Sequence, residues 1–161
     1  AAGLRRARPD LALSSDFIVG FPGETDADFA RTLALVTEIG FAPSFSFKYS
    51  ARPGTPAATA SGAVPEPVKA ERLAVLQQLL GAQAEAFHHA AVGRRMAVLI
   101  DRPGRHAGQM AGRSPWLHAV HVAAPAAMIG RLAEVTIEAS EPHSLRGRLV
   151  EEAPSAPGRA A

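Results

Sequence analysis

At Gly93 the hydrophobic pattern of this chain changes period, and that change limits what it can fold into. Ahead of it, short apolar runs alternate with stretches of three- and four-residue periodicity, the mark of β/α units. Beyond it only short runs remain, separated by Gly, Pro and Ser, the spacing of an all-β module. The expected fold class is α/β over residues 1–92, followed by a small antiparallel β-barrel over 93–150 and a frayed tail over 151–161.

The first β/α unit opens with Phe17-Ile18-Val19, a buried-strand run closed by Gly20. Phe21-Pro22-Gly23-Glu24 reads as a turn. Thr25 stands three residues before Asp28, a capping-box-like helix start, and Glu24, Asp26 and Asp28 complement the helix N-terminus. Phe29, Leu33, Val36 and Ile39 give that helix one apolar face, and Gly40 is a natural stop. The second unit follows at once. Phe45, Phe47 and Tyr49 alternate with Ser44, Ser46, Lys48 and Ser50, and a loop from Ala51 to Val64 leads to a second helix. Pro65 and Pro67 suit its first turn, and Leu73, Leu76, Leu80 and Phe87 form a stripe ending near His88-His89. Two such units call for a parallel sheet covered by helices, yet two cannot close a barrel or cover both faces of a sheet. Further strands are expected from upstream sequence, and a start at Ala1-Ala2-Gly3 without Met fits a piece of a longer protein.

From Gly93 the strand candidates are 94–101, 117–122, 131–138 and 145–150. Ala133, Val135 and Ile137 alternate with Glu134, Thr136 and Glu138, while Leu145 and Leu149 oppose Arg146 and Arg148. Gly104, Gly108 and Gly112 read as turns or bulges. A barrel this short is marginally stable alone.

Charge divides along the same line. The net charge is +2, but residues 93–150 hold eight Arg against Asp101, Glu134, Glu138 and Glu141, together with four of the six His. Residues 1–92 hold eight basic and nine acidic groups. A basic module beside a near-neutral one points to a polyanion partner, most simply nucleic acid, or to an Arg-rich solvated surface. The absence of Cys excludes disulfides, thiolate-held metals or clusters, and a thiol nucleophile. No apolar run approaches the ~18 residues of a membrane span, and no signal segment opens the chain, so a cytoplasmic, membrane-free protein is expected. Although 47% of residues are hydrophobic, 34 are Ala, which bury little area each.

No catalytic signature is complete: GxSxG, HExxH, Walker and GxGxxG patterns are all missing. His88 and His89 are adjacent, so on a helix they point about 100° apart and read as helix-terminal polar residues. The loop from Gly20 to Thr25 lies at the carboxyl end of a parallel strand, where α/β proteins bind ligands. Its glycines let backbone come close to a ligand, and the following helix offers free N–H groups. Its acidic first turn favours a nucleoside or amine-bearing ligand over a phosphate. The same loop reads equally well as a structural turn. Arg52, in Arg52-Pro53-Gly54-Thr55-Pro56, either pairs with a carboxylate or phosphate or sits in solvent.

The strings SSDFIVGFPGETDADF (14–29), FSFKYSARPGTPAA (45–58), VKAERLAVLQ (68–77), GRSPWLHAVHV (112–122) and SLRGRL (144–149) cover nearly the whole chain. In that order, they resemble the radical-SAM methylthiotransferases, in the branch acting on isopentenylated adenosine beside the tRNA anticodon. The resemblance implies that residues about 10–90 are the end of a radical-SAM partial barrel and residues about 93–150 a TRAM domain that binds RNA. It implies S-adenosylmethionine and two 4Fe-4S clusters as cofactors of the parent protein. The family's CxxxCxxC loop has no counterpart here, so the chain alone is expected to be inactive. It places Gly20, Phe21, Pro22, Gly23 and Glu24 on the S-adenosylmethionine side. The implied partner is the tRNA anticodon stem-loop, bound by a monomer.

On the basic module, Arg94, Arg95, Arg105, Arg113, Arg146 and Arg148 are the candidate phosphate contacts, since guanidinium suits bidentate phosphate pairing. Trp116 either stacks on a base or belongs to the barrel core. His118 and His121 fall on opposite faces, so at most one joins the arginines. The competing readings are a free-standing TRAM-type RNA-binding module, and a methylthiotransferase for threonylcarbamoyladenosine or for a ribosomal protein.

Overall fold

The computed structural model describes residues 1–42 and 44–150, so the expected tail at 151–161 lies outside the described residues. The chain forms two compact units that divide between Phe87 and His88, a few residues ahead of the change in pattern.

The first unit opens with a short exposed helix, α1 (Ala2–Ala7), which the sequence pattern does not signal. Arg5 Nη2 ties it down by donating to the Gly40 carbonyl at 2.8 Å. The two β/α units follow as expected: β1 (Asp16–Val19), α2 (Asp26–Ile39), β2 (Phe45–Lys48) and α3 (Glu66–His89). The capping box forms: Thr25 Oγ1 accepts from the Asp28 amide, and the Asp28 carboxylate accepts from the Thr25 amide. Gly40 ends α2 in the left-handed conformation, at φ 60°. Strands β1 and β2 pair in parallel, with Ile18 opposite Phe47 and Asp16 opposite Phe45.

Helices α2 and α3 cover one face of this two-stranded sheet. Val19, Val36, Phe41, Leu76 and Leu80 are buried there, with Phe17, Phe29, Leu33, Ile39 and Leu73 around them. The other face is bare: Ile18, Phe45 and Phe47 are each more than half exposed. The alternation at 45–49 was therefore a true strand signal, but its apolar side has no covering layer among the described residues. That is the consequence of two β/α units standing without neighbouring strands.

The second unit is a closed five-stranded barrel in the order β3-β4-β5-β7-β6. The strands are β3 (Arg95–Pro103), β4 (Gln109–Arg113), β5 (Ala119–Ala123), β6 (Leu132–Glu141) and β7 (Ser144–Leu149). All neighbours are antiparallel except β5 and β7, which run parallel and close the barrel. Val98, Ile100, Val120, Val122, Val135, Ile137 and Leu145 fill the interior at 0–1% exposure. Within the barrel, strand β4 is the one the sequence pattern hides. Its residues Gln109-Met110-Ala111-Gly112-Arg113 look like a polar, Gly-punctuated turn, yet Gly112 is there because β3 passes close by. A Cβ at Gly112 would meet the Leu99 carbonyl oxygen at 2.4 Å. Among the described residues, no helix is long and apolar enough to cross a membrane.

Candidate functional site

At the carboxyl ends of β1 and β2 lies an open cleft of about 620 Å³, lined among others by Gly20, Pro22, Lys48, Tyr49, Glu66 and Lys69. Gly20, at φ +72°, must be glycine: a Cβ would lie 2.1 Å from Lys69 Cγ, whose stem crosses this spot. Lys69 reaches the Tyr49 carbonyl at 3.4 Å and Glu66 at 2.9 Å. Lys48 donates to the same carboxylate. Hydrogen bonds from Lys48 and then Lys69 hold the Glu66 carboxyl down at about 2, so it is ionised and shared between two ammonium groups. The Tyr49 hydroxyl is buried without a hydrogen-bond partner.

The five loop residues singled out from sequence separate into different jobs. Gly20 and Pro22 line the cleft. Phe21 packs edge-on against Tyr49, with ring centroids 5.1 Å apart. The Gly23 amide donates to the Gly62 carbonyl at 2.7 Å, pinning the long 51–64 loop back onto the turn. Glu24 is turned inward. Its Oε2 accepts from the Gly20 amide at 3.0 Å and its Oε1 from Arg72 Nη1 at 2.7 Å. Arg72 also holds Asp26 at 2.6 Å and the Glu24 carbonyl at 3.2 Å.

The side chain of Arg72 is only 7% exposed. Its pKa is raised, chiefly by the hydrogen bond to Asp26, with Glu24 adding to it. This corrects the expectation that an acidic helix start sets the ligand's charge. Arg72 pairs with Glu24 and with the exposed Asp26, Asp28 accepts in the capping box, and, among the described residues, the charged groups lining the cleft are Lys48 and Lys69 against the one carboxylate of Glu66. Arg72, Lys48, Lys69 and Glu66 were not singled out from sequence. In a linear reading Arg72 and Lys69 are only the polar positions of an amphipathic helix, and 46 or more residues separate Arg72 from its acids.

On the barrel, strand register decides which arginines share a face. Arg102, Ala111, His121 and Arg146 lie directly opposite one another across β3, β4, β5 and β7. Arg148, two residues along β7, faces Thr136, which faces Arg95. Arg105, in the β3–β4 loop, belongs with this group, because it lines the same cleft as Arg102 and His121. Arg146 and Arg148 both contact Glu138, at 3.3 and 3.2 Å, and Arg146 lies 3.7 Å from Glu141. Arg102 was not among the candidates. Strict alternation after Met96, Val98 and Ile100 points it inward, but a bulge between Ile100 and Arg102 turns it out.

The remaining candidates lie apart from this row. Arg113 Nη1 donates to the Leu117 carbonyl at 3.1 Å, and Nε lies 3.7 Å from Asp101. The Arg94 guanidinium sits 4.7 Å from the Trp116 ring centroid, a cation–π contact. Trp116 itself packs against the barrel core. His118 is buried and lies edge-on to His88, with ring centroids 4.5 Å apart. Desolvation, with a smaller contribution from His88, pushes its pKa down to about 4. Desolvation likewise lowers His88, helped by His143 and His89. Both rings are neutral at pH 7. His88 sits in the last turn of α3 as read, though buried and neutral, and the burial of His118 removes it from the set facing a phosphate. Of the His118/His121 pair, His121 is the one on the outer face.

Residues 90–150 match the TRAM domain family. The match coincides with the closed barrel. Over 146 residues, 91% of its length, the chain is 58% identical to the tRNA-2-methylthio-N(6)-dimethylallyladenosine synthase of Maricaulis maris. Over most of its length the chain is thus similar to a tRNA methylthiotransferase, and its second unit carries a TRAM domain. It spans about a third of that relative's length, 32%. This similarity agrees with the sequence resemblance and with the α/β-plus-barrel fold class. Among the described residues, no group of three or more His, Asp or Glu is placed to hold a metal. The chain also has no thiolate to offer an iron–sulfur cluster.

Proposed function

We propose that this chain forms the C-terminal part of a tRNA methylthiotransferase, closing one side of its catalytic barrel and gripping tRNA through the TRAM domain. The substrate on this reading is N6-isopentenyladenosine beside the anticodon, to which a methylthio group is added by radical-SAM chemistry. One observation carries the proposal: 58% identity to a synthase of that name runs through both units, the strand-end cleft as well as the barrel. The bare face of Ile18, Phe45 and Phe47 supports it, because a fuller barrel would cover these three.

Within the reading, the β1–α2 loop of Gly20, Phe21, Pro22, Gly23 and Glu24 serves the S-adenosylmethionine side. Gly20 and Pro22 face the cleft, Phe21 props Tyr49, and Gly23 and Glu24 hold the loop shape. S-adenosylmethionine, when bound, supplies the radical and the methyl group. Lys48 and Lys69 suit its carboxylate, and the glycine backbone admits its flat nucleoside. The two 4Fe-4S clusters need thiolates that this chain lacks, so the chain alone is inactive and the protein works in the cytoplasm only as part of the full enzyme. Arg94, Arg95, Arg105, Arg113, Arg146 and Arg148 remain the proposed RNA contacts, while Trp116, packed against the barrel core, takes the core alternative.

Two measurements test the reading. Nucleoside mass spectrometry of tRNA from a deletion strain is expected to show loss of the 2-methylthio mark on isopentenyladenosine. Loss from threonylcarbamoyladenosine, or from a ribosomal protein instead, overturns the substrate. In a binding titration over a salt series, Arg146→Ala with Arg148→Ala is expected to weaken tRNA binding and flatten the salt slope by about 1.4 to 1.8. An unchanged slope removes these two from the phosphate contacts.

A further inference from the structure

Resting on the RNA-binding reading of the barrel, we infer that the RNA-reading centre is a groove built around His121, which takes one unstacked base of a single-stranded RNA segment. Two clefts meet at this ring. One, of about 640 Å³, is lined by Arg102, Arg105, His106 and His143 among others. The other, of about 450 Å³, is lined by Arg146 and Arg148 among others. His121 and Gln109 are the two residues common to both.

The geometry suits a single strand better than a duplex. The floor beside His121 is small: Ala111 and Ala119 in one cleft, Gly108 and Ala123 in the other. A flat base can lie on the imidazole where a larger side chain would fill the space. Cationic groups stand on both sides of the ring, Arg102 and Arg105 on one and Arg146 and Arg148 on the other, so the phosphates flanking the seated base each meet a guanidinium. Gln109 stands at the divide with its Oε1 fixed by the Arg105 amide at 3.1 Å. The Nδ1 of His121 is buried without a hydrogen-bond partner. Such an atom is a burden on stability, which marks the ring as placed for something besides packing. Trp116, the aromatic that sequence favours for stacking, is by contrast seated on the core and capped by Arg94.

The test uses the full chain, a fluorescently labelled short RNA hairpin with an unpaired loop, and a blunt RNA duplex of matching length, titrated over a salt series. His121→Ala is expected to weaken hairpin binding about tenfold while leaving the salt slope unchanged, since it removes a stacked base and no phosphate contact. His121→Phe keeps a ring and is expected to restore most of that loss, which a merely structural role for the imidazole would not produce. Arg102→Ala with Arg105→Ala is expected to lower the slope by about 1.4, two single-strand phosphate contacts. The wild type is expected to prefer hairpin to duplex. Equal binding of His121→Ala and wild type, with the loss falling on Arg94→Ala and Arg113→Ala instead, overturns the groove and leaves RNA binding standing. A wild-type chain that binds neither RNA overturns the RNA-binding reading and the groove with it.

Discussion

Acid is expected to loosen the barrel through His118, and the size of the effect follows from its burial. The ring is 7% exposed, set against His88 and beside Trp116, and its pKa lies at about 4 against 6.5 for a free imidazole. Because the folded value is lowered, the unfolded chain takes up a proton more readily than the folded one. The stabilising contribution is therefore complete above pH 6.5 and is lost as pH falls toward 4, at about 1.4 kcal/mol per pH unit. Between pH 7 and pH 5 the barrel loses about 2 kcal/mol from this one site. His88, lowered for the same reason, acts in the same direction. Trp116 is the sole tryptophan and lies in the barrel, so guanidinium unfolding followed by its fluorescence reads this unit. His118→Leu keeps the apolar contact and deletes the proton site, and its stability should vary much less from pH 7 to 5. If wild type and His118→Leu lose the same amount over that interval, the assignment of the acid sensitivity to His118 is wrong.

Two further perturbations probe the parts that set up each candidate site. Gly112→Ala places a methyl group 2.4 Å from the Leu99 carbonyl oxygen, so β3 and β4 must part. The barrel should lose about 2 kcal/mol or more, seen as an earlier Trp116 transition, and an unshifted transition contradicts the close approach. Arg72→Met takes the guanidinium from the nearly buried Glu24 carboxylate, which still accepts from the Gly20 amide, and from Asp26, whose side chain is already exposed. A loss of about 2 kcal/mol in the helical far-UV transition is expected, together with faster hydrogen exchange at the Gly20 amide. Exchange at wild-type rate would mean that Arg72 does not hold the loop.

How much of this was legible in the sequence depended on whether a signal was local. The capping box of Thr25 and Asp28, the stop at Gly40 and the leucine stripe of α3 are contained within a turn or two of helix, and each formed as read. The β4 strand was not legible, because Gly112 is chosen by the neighbouring strand β3 and not by its own surroundings. The parallel pairing of β5 with β7 likewise depends on barrel closure, which no window of residues contains. At the sites, residue type was readable and direction was not. Glu24 looked like a ligand-side carboxylate until Arg72 claimed it. Alternation alone would turn Arg102 inward, and a bulge in β3 reverses it. His118 and His121 are three residues apart and chemically identical, yet one is a neutral core ring and the other lies on the outer row.

The arginines make the same point in energetic terms. Arg72 is buried among two carboxylates and a Phe29 ring 5.6 Å away, and a phosphate could displace those partners only by stranding Glu24 in a site with little water. Arg146 and Arg148 also have carboxylate partners, but their side chains are 52% and 67% exposed. An exposed pair of this kind is worth about 0–1 kcal/mol, less than the gain when a polyanion releases its counterions. Glu138 thus holds both guanidiniums loosely in position without excluding a phosphate, and it also lowers the pull of this face on arbitrary anions. Removing it separates those roles. A Glu138→Gln chain should bind RNA hairpin and duplex both more tightly at low salt, with the preference between them reduced. If tightening is confined to the hairpin, Glu138 contributes to recognition and not merely to the charge of the face.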